Sequence, residues 1–202
     1  MAFEEIIKDK KAFILGLDDV VYPQKDYLLQ VYYLFSEFIE YSEQADASAI
    51  IAYMKAEFEK EGVTNLFGKT AKAYNLPEKY QANFKLLHQN ARLPLKLLLY
   101  KQVLAFLQEV VIERKTIFLL VDGDPVEQLN KIKQTEWNGL EKYLKLYFVA
   151  EFKPKPDVES VNYILETHQL QPEDVLMLGL TETDERFAQN AGIKYFSVTK
   201  LI

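Results

Sequence analysis

Cysteine is absent from this chain, which excludes disulfides, thiolate nucleophiles and cysteine-based metal centres. Such a composition suits a reducing compartment. Histidine is nearly absent: there is only His88 and His168, neither at a catalytic spacing from a Ser, Asp or Glu. A histidine metal site or a Ser-His triad has too little to build on. An excess of basic charge is missing too. With 24 Lys and Arg against 30 Asp and Glu the formal net charge is −6, which argues against a nucleic-acid partner. No apolar run approaches the length needed to cross a bilayer, and residues 1–11 are polar and charged where a signal segment would be apolar. The expected location is therefore cytoplasmic, with no membrane partner. Internal repeats, low-complexity tracts and long charge runs are lacking as well, and the KDKK cluster at residues 8–11 reads as a solvated lead-in.

What is present suffices for one bulky core with a smaller appendage. The chain has 202 residues, of which 49% are hydrophobic, and it carries 13 Tyr and 13 Phe. Residues 12–17 form a continuous apolar run of the kind found in a parallel strand covered on both faces. Residues 24–92 are rich in helical stripes. Leu28, Val31, Tyr32, Phe35, Phe38 and Ile39 make one, Ile50, Ile51, Met54 and Phe58 a second that stops near Gly62. A third short helix is expected over residues 64–75. Tyr80, Phe84, Leu87 and His88 make the last stripe, after Pro77. These aromatic stripes read as core.

From Pro94 onward helix and strand alternate. Helices are expected over residues 95–111, 126–133, 156–168 and 184–190, with a short one over 139–144. Strands are expected over residues 116–121, 146–150, 175–178 and 194–198. Such alternation implies a mostly parallel α/β sheet. The helical block after the first strand is too long for a plain crossover and must be inserted. Polar, Gly or Pro residues follow each early strand: Gly16 to Asp19, Asp122 to Pro125, Glu151 to Pro156 and Gly179 to Asp184. Ligands of open α/β sheets sit at these strand ends. Read singly, each residue has a plainer role. Asp18 and Asp19 suit a turn, Asp122-Gly123-Asp124-Pro125 is a good turn sequence, Asp184 suits a helix N-cap, and Lys155 between two prolines is equally suited to being aimed inward by the stiffened loop or to solvent. Trp137 reads as packing, and the histidines as surface or partly buried residues without ligands.

In order and content, the four loops resemble the motifs of the haloacid dehalogenase (HAD) superfamily. Leu17-Asp18-Asp19-Val20-Val21-Tyr22-Pro23 is similar to Leu-Asp-Asp-Thr-Leu-Tyr-Pro, and Leu119-Leu120-Val121-Asp122-Gly123 to Leu-Leu-Thr-Asn-Gly. Phe152-Lys153-Pro154-Lys155-Pro156-Asp157 resembles the Lys-Pro motif. Leu178-Gly179-Leu180-Thr181-Glu182-Thr183-Asp184, followed by Ala188, Ala191 and Gly192, resembles Val-Gly-Asp-Ser-x-x-Asp. The resemblance implies a three-layer, Rossmann-like parallel sheet with an inserted all-helical cap. The core would comprise residues 1–23 and 94–202 and the cap residues 24–93.

The resemblance also implies roles, which this sequence fills incompletely. The nucleophile position is Gly16, and the acid/base position is Asp18. Lys155, with Lys153 as an alternative, would bind phosphate together with Asp122, Gly123 and Thr181, Thr183 lying nearby; the usual motif hydroxyl is Val121. Mg²⁺ is the implied cofactor, but of the fourth motif's acids one position is Leu180 and only Asp184 remains as a weak ligand. Two readings follow. The chain has lost phosphatase activity and binds a small anionic ligand or a protein partner; or it is an active hydrolase of small phosphorylated metabolites with a rearranged site, in which Asp122 or Asp19 compensates for Gly16.

Overall fold

The central sheet of the computed structural model, which describes residues 3–202, has five parallel strands in the order β5-β3-β1-β6-β7. These are β1 (Ala12–Leu15), β3 (Thr116–Val121), β5 (Leu144–Phe148), β6 (Val175–Gly179) and β7 (Lys194–Ser197). Side chains alternate faces along a strand, and both faces are covered here. Phe13, Leu15, Ile117, Leu119, Val121, Leu176 and Leu178 point into one hydrophobic cluster. Ala12, Ile14, Phe118, Leu120, Val175 and Met177 point into the other. This explains why the strands read as unbroken apolar runs. The second cluster is closed by α8 (Glu159–Thr167) and α9 (Glu182–Asn190), through Val161, Ile164, Leu165, Phe187 and Ala188.

Between β1 and the next strand the chain is helical: α2 (Gln24–Glu43), α3 (Ala47–Glu61), α4 (Leu66–Tyr74) and α5 (Tyr80–Asn90). The stripes read from sequence supply the buried Leu28, Val31, Tyr32, Phe35 and Ile39 of α2, which buries Tyr27 as well, and the Ile50 and Met54 of α3. Gly62 ends α3 at φ 66°, as its position suggests. An aromatic group forms the centre, with Phe84 5.0 Å from Phe35 and 4.8 Å from His88, ring centre to ring centre. Phe35 and Phe84 join the first hydrophobic cluster, so the insertion and the sheet share one apolar interior.

Several expectations move. The helix expected over residues 95–111 starts later, as α6 (Lys101–Ile112). Its first residues instead form β2 (Leu97–Leu98), which pairs in parallel with β4 (Thr135–Glu136). Strands of two residues are too short to leave a periodic signature. The charged N-terminal lead-in contains a short helix, α1 (Glu4–Ile7), with Ile7 buried and Phe3 edge-on to Phe106 at 5.5 Å. The helix expected over residues 156–168 begins at Glu159, after Asp157 accepts the Glu159 N–H at 3.0 Å. The short helix near residues 139–144 is a 3-10 turn at Glu141–Tyr143, and the following strand begins at Leu144 rather than residue 146. Trp137 is packed and donates its indole N–H to the Ile132 carbonyl at 2.8 Å. Among the described residues, no helix is long and apolar enough to cross a membrane.

His88 packs among Phe84, Tyr27 and Tyr32. Burial pushes its pKa below the ordinary value; Glu127 pulls it up and Lys131 pushes it down. An unfolded chain therefore takes up this proton first as pH falls, and stability is lost below about pH 6.5 and kept above it. Urea midpoints measured between pH 7.5 and 5.5 should fall for the wild type and fall less for His88→Gln. Parallel curves for the two proteins would remove His88 as the cause.

Candidate active site

Leu15 ends β1 at the carboxyl edge of the sheet, and the chain then turns through Gly16, Leu17 and Asp18. Asp19 sits at φ 58°, donates its N–H to the Tyr22 carbonyl at 2.9 Å, and accepts the Gln24 N–H on Oδ1 at 2.8 Å. Its carboxylate thus holds the entry to α2. Asp18 points the other way. Its Oδ1 accepts from the buried Tyr22 hydroxyl at 2.5 Å. Its Oδ2 accepts from Gln128 Nε2 at 3.0 Å and Lys131 Nζ at 2.9 Å. Burial, then the Asp18 charge, push the Tyr22 phenol far above its usual range, so it stays a donor.

The partners of Asp18 Oδ2, Gln128 and Lys131, come from α7 (Pro125–Gln134), which follows β3. Asp124 caps this helix, accepting from the Val126 and Glu127 N–H groups, with proline at the first helical position. The helix presents its polar side inward. Lys131 is 1% and Gln128 5% exposed, whereas Val126 is 52% and Leu129 37% exposed. A buried ammonium needs ionic and hydrogen-bonding partners. Lys131 has Asp18, Glu127 Oε1 at 2.8 Å and the Tyr27 ring face at 4.5 Å. Gln128 Nε2 also donates to the Asp122 carbonyl at 2.7 Å. Gly123, at φ 104°, leaves room for that amide; a Cβ there would lie 3.1 Å from Gln128 Nε2.

Across the cleft, the end of β6 leads into α9. Thr181, not Asp184, is the N-cap. Asp184 is the third helical residue of a capping box, and α9 starts at Glu182 rather than residue 184. Its Oδ2 accepts from the Leu180 and Thr181 N–H groups at 3.2 and 3.1 Å and from the Thr181 hydroxyl at 2.9 Å. Its Oδ1 pairs with Lys155 Nζ at 3.0 Å. Gly179 is required here, since a Cβ would come within 2.7 Å of Asp184 Cβ. Burial opposes the charge on Asp184, but Lys155 and the Thr181 donors outweigh it, and the carboxyl stays below the usual range. Lys155 is buried rather than solvated, with 6% of its side chain exposed and Phe187 5.5 Å away.

A cleft of about 340 Å³ collects these groups: Gly16, Asp18, Asp122, Lys155, Thr181, Thr183 and Asp184 line it, with Gln128. Gly123 and Lys153 stand outside this lining, Val121 is buried in the sheet, and Leu180 is 39% exposed. Asp122 is exposed, and its Oδ1 accepts the Gly123 N–H. A larger cavity, of about 780 Å³, lies among the helices of the insertion and reaches Glu127. The sequence reading missed Tyr22, Glu127, Gln128 and Lys131. The spacing of Glu127 and Lys131 is a helical i,i+4 pair, but such a pair is normally assigned to solvent.

The residues do not fit a divalent metal. Such an ion needs several oxygen ligands, and both carboxylate oxygens of Asp18 and of Asp184 already accept from protein donors. Among the described residues, no group of three or more His, Cys, Asp or Glu is placed to hold one.

Residues 14–198 match the family described as haloacid dehalogenase-like hydrolase. The chain belongs to this haloacid dehalogenase-like family. Its helical segment is consistent with the subfamily that carries a helical cap. No match was found among curated proteins. Solved structures of similar fold include a hydrolase from Streptococcus pneumoniae TIGR4, 18% identical, with 96% of each chain covered and a TM-score of 0.57. A Thermotoga maritima protein assigned as a beta-phosphoglucomutase is 20% identical over 93% of this chain and 84% of its own, with a TM-score of 0.62. The L-2-haloacid dehalogenase of Xanthobacter autotrophicus is 16% identical over 92% and 76%, with a TM-score of 0.53. At such identities the likeness to these haloacid dehalogenase-fold proteins shows the fold alone.

Removing Lys155 would leave Asp184 buried with one oxygen unpaired. Lys155→Met should cost about 2 kcal/mol, below the usual range for a broken buried pair because Thr181 still holds Oδ2. Chemical denaturation measures it; a loss under about 0.5 kcal/mol would mean that the pair is solvated.

Proposed function

We propose that this haloacid dehalogenase-family chain has lost phosphoryl transfer and uses its cleft to hold a small ligand. One observation carries the reading. Asp18, at the acid/base position, has its carboxylate taken up by Tyr22, Gln128 and the buried Lys131, while Gly16 beside it bears no nucleophile. A carboxylate locked as the partner of an ammonium is a poor proton donor to a leaving group. The resemblance implies a phosphorylated or anionic ligand, but Lys155 is already neutralised by Asp184, and Asp18 and Asp122 add negative charge to the lining. The hydroxyls of Thr181 and Thr183 and the carboxylate of Asp122 favour a neutral ligand that forms hydrogen bonds.

The competing reading is an active hydrolase of small phosphorylated metabolites. The exposed Asp122 in the cleft is what favours it, since it is the carboxylate free to approach a substrate there. Hydrolysis of para-nitrophenyl phosphate with Mg²⁺ separates the two. Losing the attacking residue of a catalytic unit removes on the order of 10⁶ of the acceleration, so wild type should show no turnover above background. Gly16→Asp should not restore it, because Asp18 stays paired and the new Cβ meets Val20 Cγ2 at 3.3 Å. Wild-type turnover that disappears in Asp122→Asn or Asp18→Asn would establish the hydrolase instead.

A further inference from the structure

The insertion leaves the sheet through residues 16–23 and returns through residues 91–100, and a hinge would have to bend both connections. The return connection has regular structure only at Leu97–Leu98, yet Ala91 and Leu93 ahead of it are buried. Buried backbone groups need partners. Gln134, the last residue of α7, supplies two. Its Oε1 accepts the Leu93 N–H at 2.6 Å, and its Nε2 donates to the Ala91 carbonyl at 2.8 Å. Nε2 also donates to Asn130 Oδ1 at 2.9 Å, and Asn130 Nδ2 donates to the same Ala91 carbonyl at 3.0 Å. A carbonyl and the N–H two residues on are the groups that a parallel strand pairs. The side-chain amide takes the place of such a strand. The backbone then takes over, since Thr135–Glu136, directly after Gln134, pairs with Leu97–Leu98.

The same connection is gripped from the insertion. Gln30 Oε1 of α2 accepts the Leu95 N–H at 2.7 Å, and the Tyr27 hydroxyl donates to the His88 carbonyl. Gln89 Nε2, at the end of α5, reaches the capping Asp124 of α7 at 3.0 Å. The two connections are also bonded to each other, by the Tyr100 N–H on the Val21 carbonyl at 3.0 Å. We infer that α7 is a latch: Gln134 and Asn130 hold the return connection to the sheet side while Gln30 and Tyr27 hold it to the insertion, so that insertion and sheet move as one body. The cavity of about 780 Å³ has Leu28 and Phe84 of the insertion on one side and Glu127 of α7 on the other. Its shape is therefore preformed and does not wait on a hinge. This goes beyond the loss of turnover and does not rest on it.

The chain has no cysteine, so a pair introduced at exposed positions, Tyr41→Cys on α2 and Ile112→Cys on α6, takes spin labels alone. Double electron–electron resonance should give one narrow distance distribution with the latch intact. Adding Gln134→Ala should make it about twice as wide or bring in a second distance. Hydrogen exchange reads the bonds singly. The Leu93 and Leu95 N–H groups should be protected although neither residue lies in a helix or strand. Gln134→Ala should speed exchange at Leu93 about tenfold, the loss of one hydrogen bond, and leave the central strands protected. Should Gln134→Ala not fold, Gln30→Ala takes its place, with the same broadening expected and Leu95 as the reporter. A broad or two-peaked distribution with the latch intact overturns the inference. So does a folded latch variant whose distribution is unchanged, or a Leu93 N–H that exchanges as fast as an open loop. Turnover plays no part in these readouts, so their failure is distinct from failure of the functional reading.

Discussion

A buried ammonium cannot be left alone, and much of the cleft is arranged around that constraint. Moving an ion out of water costs several kcal/mol after relaxation, and one missing partner leaves the rest uncompensated. Lys131 meets the requirement with groups from three places in the chain. Asp18 comes from the loop after β1, Glu127 from one turn earlier in α7, and the Tyr27 ring from the first helix of the insertion. The polar side of α7 is therefore turned inward while Val126 and Leu129 face solvent. Gly123 belongs to the same arrangement, since its empty side-chain position lets Gln128 reach both Asp18 and the Asp122 carbonyl. One buried ammonium thus ties the sheet edge, by its ion pair with Asp18, to the first inserted helix, by its contact with the Tyr27 ring.

The sheet was legible because burial on both faces writes itself as unbroken apolar runs. Residues 12–15, 116–121 and 175–178 carried that signal, and they are the three central strands. The insertion was legible through its 3.6-residue stripes. The site was legible as a set of strand-end loops: Gly16, Asp18, Asp122, Lys155, Thr181 and Asp184 do line one cleft. The state of those residues was not. Sequence pattern places charge outside, so a helix with Lys131 within and Leu129 without inverts the rule by which faces are assigned. The pairing of Lys155 with Asp184 joins residues 29 positions apart and leaves no local trace. Leu97–Leu98 and Thr135–Glu136 were missed for a different reason, being strands too short to show a period.

Membership of a family and performance of its reaction rest on different residues. The match over residues 14–198 depends on strands, helices and loop order, which are set by burial and turn chemistry. The reaction depends on a few unpaired polar atoms at the strand ends. In this chain the polar atoms that remain there are largely engaged with one another. Tyr22, Gln128 and Lys131 close on Asp18, and Lys155 and Thr181 close on Asp184. The proposed loss of turnover follows from that mutual engagement as much as from the glycine at position 16.

Asp184 closes the capping box of α9, packs over Gly179 and neutralises Lys155. Each of those tasks would select for aspartate in a descendant with no chemistry to perform. An acidic residue at this position in distant relatives would then measure the persistence of a helix start. Retained motif letters and retained enzymatic work can drift apart, and the drift is invisible wherever one carboxylate serves the fold.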